Sequence, residues 1–169
     1  FIIIFVTLLI SRLNSTLLSF DNLNVDEAQM IANAINLFYK NLSILEFDGT
    51  TSGILNSLIL IWPKILNLEI TYLTTRLTSI FLVSLIIFFV FKILYFKTKK
   101  INISLFLLLP TLIFFIFTRD PDFVHYSSEL LSIYFLIFSY WLIMIDQKNL
   151  NFSNSIISSF LLGLVYLSK

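Results

Sequence analysis

The chain has no cysteine, only three glycines and three prolines, and a single histidine, His125. Without cysteine there are no disulfides, no thiolate chemistry and no Cys-based metal sites, and the redox compartment goes unread. Charge is scarce too. Asp, Glu, Lys and Arg make up 12% of the 169 residues, where a soluble domain carries about a quarter. A net charge of +1, with no long run of Lys or Arg, leaves no footprint for nucleic acid. No hydrolase elbow, phosphate-cradling Gly-rich loop or zinc spacing occurs, and no repeat of fixed period or low-complexity linker divides the chain.

What is present is apolar: 58% of residues are hydrophobic and the mean hydropathy is +0.94. This is the composition of an integral membrane protein, and the expected fold is an all-α polytopic transmembrane helix bundle forming one membrane domain. Crossing the hydrocarbon core takes about 20 mostly apolar residues. Spans are expected at about 1–18, 73–96, 101–117, 124–145 and 152–169. Arg12 and Asn14 interrupt the first, and Pro110 is expected to kink the third. The first ten residues have neither a basic region before them nor a cleavage site after them, so they read as the end of a transmembrane helix and not as a signal peptide. The chain starts at Phe1 and stops at Lys169 directly after an apolar run, so both ends are expected to continue in a longer protein. The 19 phenylalanines invite an aromatic sugar- or lipid-binding surface. The simpler account is that large apolar side chains of any kind suit lipid-facing positions.

Loop charges set the orientation. Lys92, Lys97, Lys99 and Lys100 cluster between the second and third spans, and Lys148 lies between the fourth and fifth. Short loops rich in Lys and Arg stay in the cytoplasm, which puts the loops at 20–72 and 118–123 outside. The Lys cluster is thereby a topology signal and not a binding patch. Within the external loop, Ala28, Ile31, Ile35, Phe38 and Leu42 recur at steps of three and four, one face of a helix over 25–42. Asn24 caps it and Glu27 can reach back, as in a capping box. Such a helix is expected to lie along the membrane interface with its apolar face in the headgroups. Residues 46–53 hold two of the three glycines and read as a turn with backbone open to a ligand. Residues 54–62 are apolar but too short to span, and form a second interfacial or re-entrant helix ended by Pro63.

Two external acidic groups are candidates for chemistry. The first is Asp26-Glu27. Helix capping and the macrodipole account for Glu27, while Asp26 is left without a structural role. The second runs from Arg119 through Asp120, Asp122 and His125 to Glu129. His125 and Glu129 share a face if the segment is helical; the bland account is a solvated loop and a helix start. Asp26, Asp122 and His125 are ligand types that suit a divalent metal such as Mn²⁺, but no diagnostic spacing supports one, and no cofactor is certain.

The order of these pieces resembles a known family. A first span is followed by Val25-Asp26-Glu27-Ala28-Gln29 and an amphipathic helix. Phe47-Asp48-Gly49-Thr50-Thr51-Ser52-Gly53-Ile54-Leu55-Asn56-Ser57 comes next, then Thr75-Arg76-Leu77-Thr78-Ser79 at the second span. The ending Gly163-Leu164-Val165-Tyr166-Leu167-Ser168-Lys169 is similar to a later family segment. This resembles the N-terminal part of GT-C membrane glycosyltransferases, among them bacterial proteins similar to protein O-mannosyltransferases and to the aminoarabinose transferases of lipid A. The resemblance implies a polyprenyl-phosphate sugar donor, a lipid, glycan or protein acceptor, and transfer at the external face of the bacterial inner membrane. It implies that Asp26 takes the proton of the acceptor hydroxyl, with Glu27 as capping partner or auxiliary, and that Arg76 meets the phosphate. Interfacial snorkelling stands equally beside phosphate contact for Arg76; Arg12 could also face the cavity, with snorkelling the safer reading. Asp122, His125, Glu129 and Lys169 match family positions loosely, as substrate-binding residues. The rivals are a polyprenyl-linked glycan transporter and a non-catalytic membrane subunit.

Overall fold

A computed structural model describes residues 2–18, 24–39, 52–149 and 152–168. Among these there is helix and no strand. The order is α1 (Ile2–Leu18), α2 (Val25–Tyr39), α3 (Ile54–Ile59), α4 (Trp62–Ile65), α5 (Tyr72–Thr98), α6 (Ile101–Phe117), α7 (Pro121–Val124), α8 (Ser128–Asn149) and α9 (Phe152–Leu167). Two of them, α5 and α8, are long and apolar enough to cross a membrane.

The 27-residue α5 is the axis of the fold. It starts at a capping box: the Thr71 hydroxyl accepts from the Thr74 N–H, and the Thr74 hydroxyl accepts from the Thr71 N–H at 2.9 Å. It stops at Lys99, whose left-handed backbone (φ 57°) turns the chain into α6. Helices α1, α2, α6, α7 and α8 all pack against α5, and α9 packs on α8. Leu8, Val83, Ile87, Phe91, Leu108 and Leu112 form the core between α1, α5 and α6. Met30, Ile31, Ala34, Leu60, Leu82, Tyr126 and Leu131 join α2, α5 and α8 in a second core nearer the start of α5. The phenylalanines divide. Phe89 packs with Tyr134, Phe138 and Trp141 between α5 and α8, while Phe106 and Phe152 are 73% and 78% exposed. Many hydroxyls point the other way: Ser15, Thr16, Ser57, Thr75, Ser79, Ser84 and Ser104 are buried.

Several expectations change. The buried face of α2 is Glu27, Met30, Ile31 and Ala34, and it packs on protein. Leu42 and most of 46–53 lie outside the described residues. Pro63 does not end a helix but sits in the first turn of α4, where its missing N–H costs nothing. The helix at the expected fourth span, α8, begins at Ser128 and not at 124, because 125–127 is non-helical. As expected, Pro110 lies inside the helix at the third expected span, α6.

Candidate functional site

The first turn of α2 separates the two acids. The Asn24 side-chain oxygen accepts from the N–H groups of Asp26 (2.9 Å) and Glu27 (3.2 Å), so Asn24 is the expected cap. The return arm of the capping box is not made, because the Glu27 carboxylate is turned inward and has other donors. Arg76 Nε lies 3.2 Å and Arg76 Nη2 3.2 Å from Glu27 Oε2, and both groups are fully buried. The Tyr126 N–H donates to Glu27 Oε1 at 3.4 Å, and His125 Nδ1 is 3.7 Å from Oε2. Burial pushes the Glu27 carboxyl up from its ordinary range, while the Arg76 hydrogen bonds and charge, and then the Tyr126 N–H, pull it back.

This junction explains the break between α7 and α8. The Tyr126 N–H is spent on Glu27 and not on a helical carbonyl. The His125 carbonyl accepts from the buried Ser79 hydroxyl at 3.1 Å. The Tyr126 hydroxyl donates to Asn56 Oδ1 at 2.8 Å, and Asn56 Nδ2 donates to the carbonyls of Ser128 and Ser168. Burial pushes the Tyr126 phenol well above its ordinary value, which keeps it a donor. Helix α8 then restarts on Ser127, whose hydroxyl accepts from the Glu129 N–H. His125 and Glu129 therefore share no helix face. His125 is buried and Glu129 exposed, with the Ser127 hydroxyl donating to its carboxylate.

Above the junction lies a polar cleft of about 330 Å³. Asp26, exposed, forms one wall with Asn24; the chain from His125 to Glu129 forms the other. On its far side, His125, Ser127 and Glu129 also border an apolar cavity of about 340 Å³ closed by Phe114, Phe115, Phe123, Leu130 and Ile133. A separate apolar groove of about 470 Å³ runs between Ile59, Trp62 and Phe81.

The structure thus brings Asp26, His125 and Glu129 to one cleft, with Glu27 and Arg76 directly beneath it. Arg76 neither snorkels nor lines the cleft; its charge is engaged by Glu27. Arg12 does not snorkel either. It is fully buried, donates to the Phe123 carbonyl and lies 5.6 Å from the centre of the Phe115 ring. The Asp122 side chain and Lys169 lie outside the described residues. Among the described residues, no three of His, Asp and Glu come together as a metal site. Asn56, Ser79 and Tyr126 were not singled out from the sequence. For Asn56 and Ser79 the one signal was polarity inside apolar runs, which costs energy in a bilayer unless a partner is found.

Set beside known proteins, the chain matches no family model, no curated protein and no solved structure.

Proposed function

We propose that this chain is the N-terminal part of a GT-C-type glycosyltransferase. It moves a sugar from a polyprenyl-phosphate carrier to an acceptor hydroxyl at the external face of a bacterial plasma membrane. The observation that carries the reading is an exposed carboxylate, Asp26, at the mouth of a polar cleft at the start of the long apolar helix α5. The Lys97–Lys100 turn closes the other end of the 27-residue α5, about 40 Å away at 1.5 Å per residue. Buried hydroxyls and exposed phenylalanines suit a multi-pass bundle whose solvent is lipid. The family resemblance of the Asp26-Glu27 segment supplies the reaction type.

In this reading Asp26 accepts the proton of the acceptor hydroxyl as its oxygen attacks C1 of the sugar. The bond from C1 to the phosphate oxygen breaks, and the lipid phosphate leaves with the electron pair. An exposed carboxylate at the cleft can accept a proton without displacement of a structural partner. Arg76 is committed to Glu27, so the leaving phosphate looks to other cations; Arg119, exposed beside α7, is at the same end of the bundle.

Asp26→Asn in the full-length protein is expected to abolish transfer from a polyprenyl-phosphate sugar while membrane expression is unchanged. Transfer at near the wild-type rate would sink the assignment. In a transporter or a docking subunit, Asp26 and the cleft would tolerate this change.

A further inference from the structure

The face that α2 buries is not the face its apolar residues define. At 100° per residue the apolar stripe through Ala28, Ile31, Ile35 and Phe38 and the buried stripe through Glu27, Met30, Ile31 and Ala34 point roughly 60° apart. Phe38 is left 43% exposed while Glu27 is fully buried. Hydrophobic packing alone would roll the helix the other way, since a buried carboxylate is costly unless paired. Met30 and Ala34 add apolar packing on the buried side, and the fork from Arg76 of α5, with the Tyr126 N–H behind it, is the polar contact that draws Glu27 in.

We propose that the buried Glu27–Arg76 ion pair is the device that sets the roll of α2 and so aims Asp26 across the cleft toward His125 and Glu129. Asp26 precedes Glu27 by one residue and points about 100° around the helix from it. With Glu27 drawn in, Asp26 falls on the cleft wall. Rolled to its apolar face, α2 would carry Asp26 outward and away from the 125–129 chain. Glu27 and Arg76 are then positioning residues that act through Asp26 without touching substrate. This reassigns both from the roles that family resemblance implies for them. A buried ion pair is a directional constraint of this kind, because its fork is satisfied in only one geometry.

The test uses the double variant Glu27→Gln/Arg76→Gln in the full chain. It removes both charges together, so no buried charge is stranded, and it keeps side chains of hydrogen-bonding type. These 169 residues hold no cysteine, so Asp26→Cys supplies a local thiol whose labelling rate by a water-soluble maleimide reports its exposure. Asn102→Cys, beyond the far end of α5, is the control. The double variant is expected to raise labelling at position 26 about fivefold or more and to leave position 102 within about twofold, as a local rearrangement does. An unchanged rate at 26, or an equal rise at both positions, overturns the proposal.

Only the kinetic arm rests on the glycosyltransferase reading. There the double variant should lower kcat about tenfold or more, with KM for the lipid-linked donor within about twofold, because it displaces the base and not a donor contact. Arg76→Lys, which keeps the charge but loses the fork, should fall between. Transfer at wild-type kcat in the double variant, where Asp26→Asn is inactive, overturns the positioning role. Failure of the wild-type protein to transfer sugar overturns the glycosyltransferase reading alone, and the labelling arm still decides the roll of α2.

Discussion

A carboxylate that leaves water must gain donors, and Glu27 gains them from Arg76 and the Tyr126 backbone. Taking one charge away strands the other. Arg76→Met should therefore destabilise the protein by about 3–5 kcal/mol, whereas Glu27→Leu/Arg76→Met should recover most of that. Thermal unfolding in one detergent compares the two. Tyr126 offers a pH test. Its buried phenol has a pKa raised above the ordinary value of 10.0, so its stabilising contribution is whole below that value and fades as pH climbs past it. Tyr126→Phe should lower the melting temperature at neutral pH, because Asn56 Oδ1 loses its donor at a cost of about 1–3 kcal/mol. It should also flatten the decline above pH 10. A variant as alkali-sensitive as wild type would show that another group titrates. At this scale the sequence was half legible. Asn24 as a cap could be read, since its partners are two and three residues on. Glu27 could not, since its partner is 49 residues away.

At the scale of elements, hydropathy and spacing located the helices well and their faces poorly. α6 and the start of α9 fall where the apolar runs put them, and α5 within two residues, because run length and flanking Lys are local properties. The roll of α2 differs because one ion pair outweighs a modest apolar preference. The start of α8 moves to Ser128 because Glu27 claims a backbone N–H that the helix would have used. Gly53 also gains its meaning only from a neighbour. Its backbone is extended (φ −64°, ψ 156°), which any residue could adopt. Yet a Cβ there would collide with the Leu167 carbonyl and come within 2.7 Å of Ser168 C. Both are backbone atoms that cannot swing aside. Gly53→Ala is thus expected to cost about 1–3 kcal/mol and to loosen the end of α9 from α3. Gly163→Ala, with open space around it, should be neutral or slightly stabilising. Thermal unfolding of the two variants checks the contrast.

In the whole molecule, α5 carries one core on each side, and the polar cleft and the Lys turn lie at its opposite ends. Under the proposed orientation the two ends face opposite compartments. A thiol at the exposed Val25, by Val25→Cys, should react with an impermeant reagent added outside intact cells, and one from Asn102→Cys should react only after lysis. Reaction of both from one side would reject the topology. The exposed Phe side chains on α6 and α9 also predict that the chain stays with the membrane after an alkaline carbonate wash. Release into the supernatant would count against a lipid-facing surface.

By itself the sequence determined that this protein is helical, where α5, α6 and the start of α9 run, and which end of α5 carries the lysines. Each of these follows from composition and spacing along a short stretch of chain. Only the tertiary structure decided how Asp26 and Glu27 divide, one into an open cleft and one into a buried ion pair. That division depends on Arg76 and Tyr126, which are distant in sequence and brought within hydrogen-bonding reach by the packing of α2, α5 and the 125–127 bend. A local pattern can show that a charge is costly where it stands, but the partner that makes it tolerable is supplied by the fold.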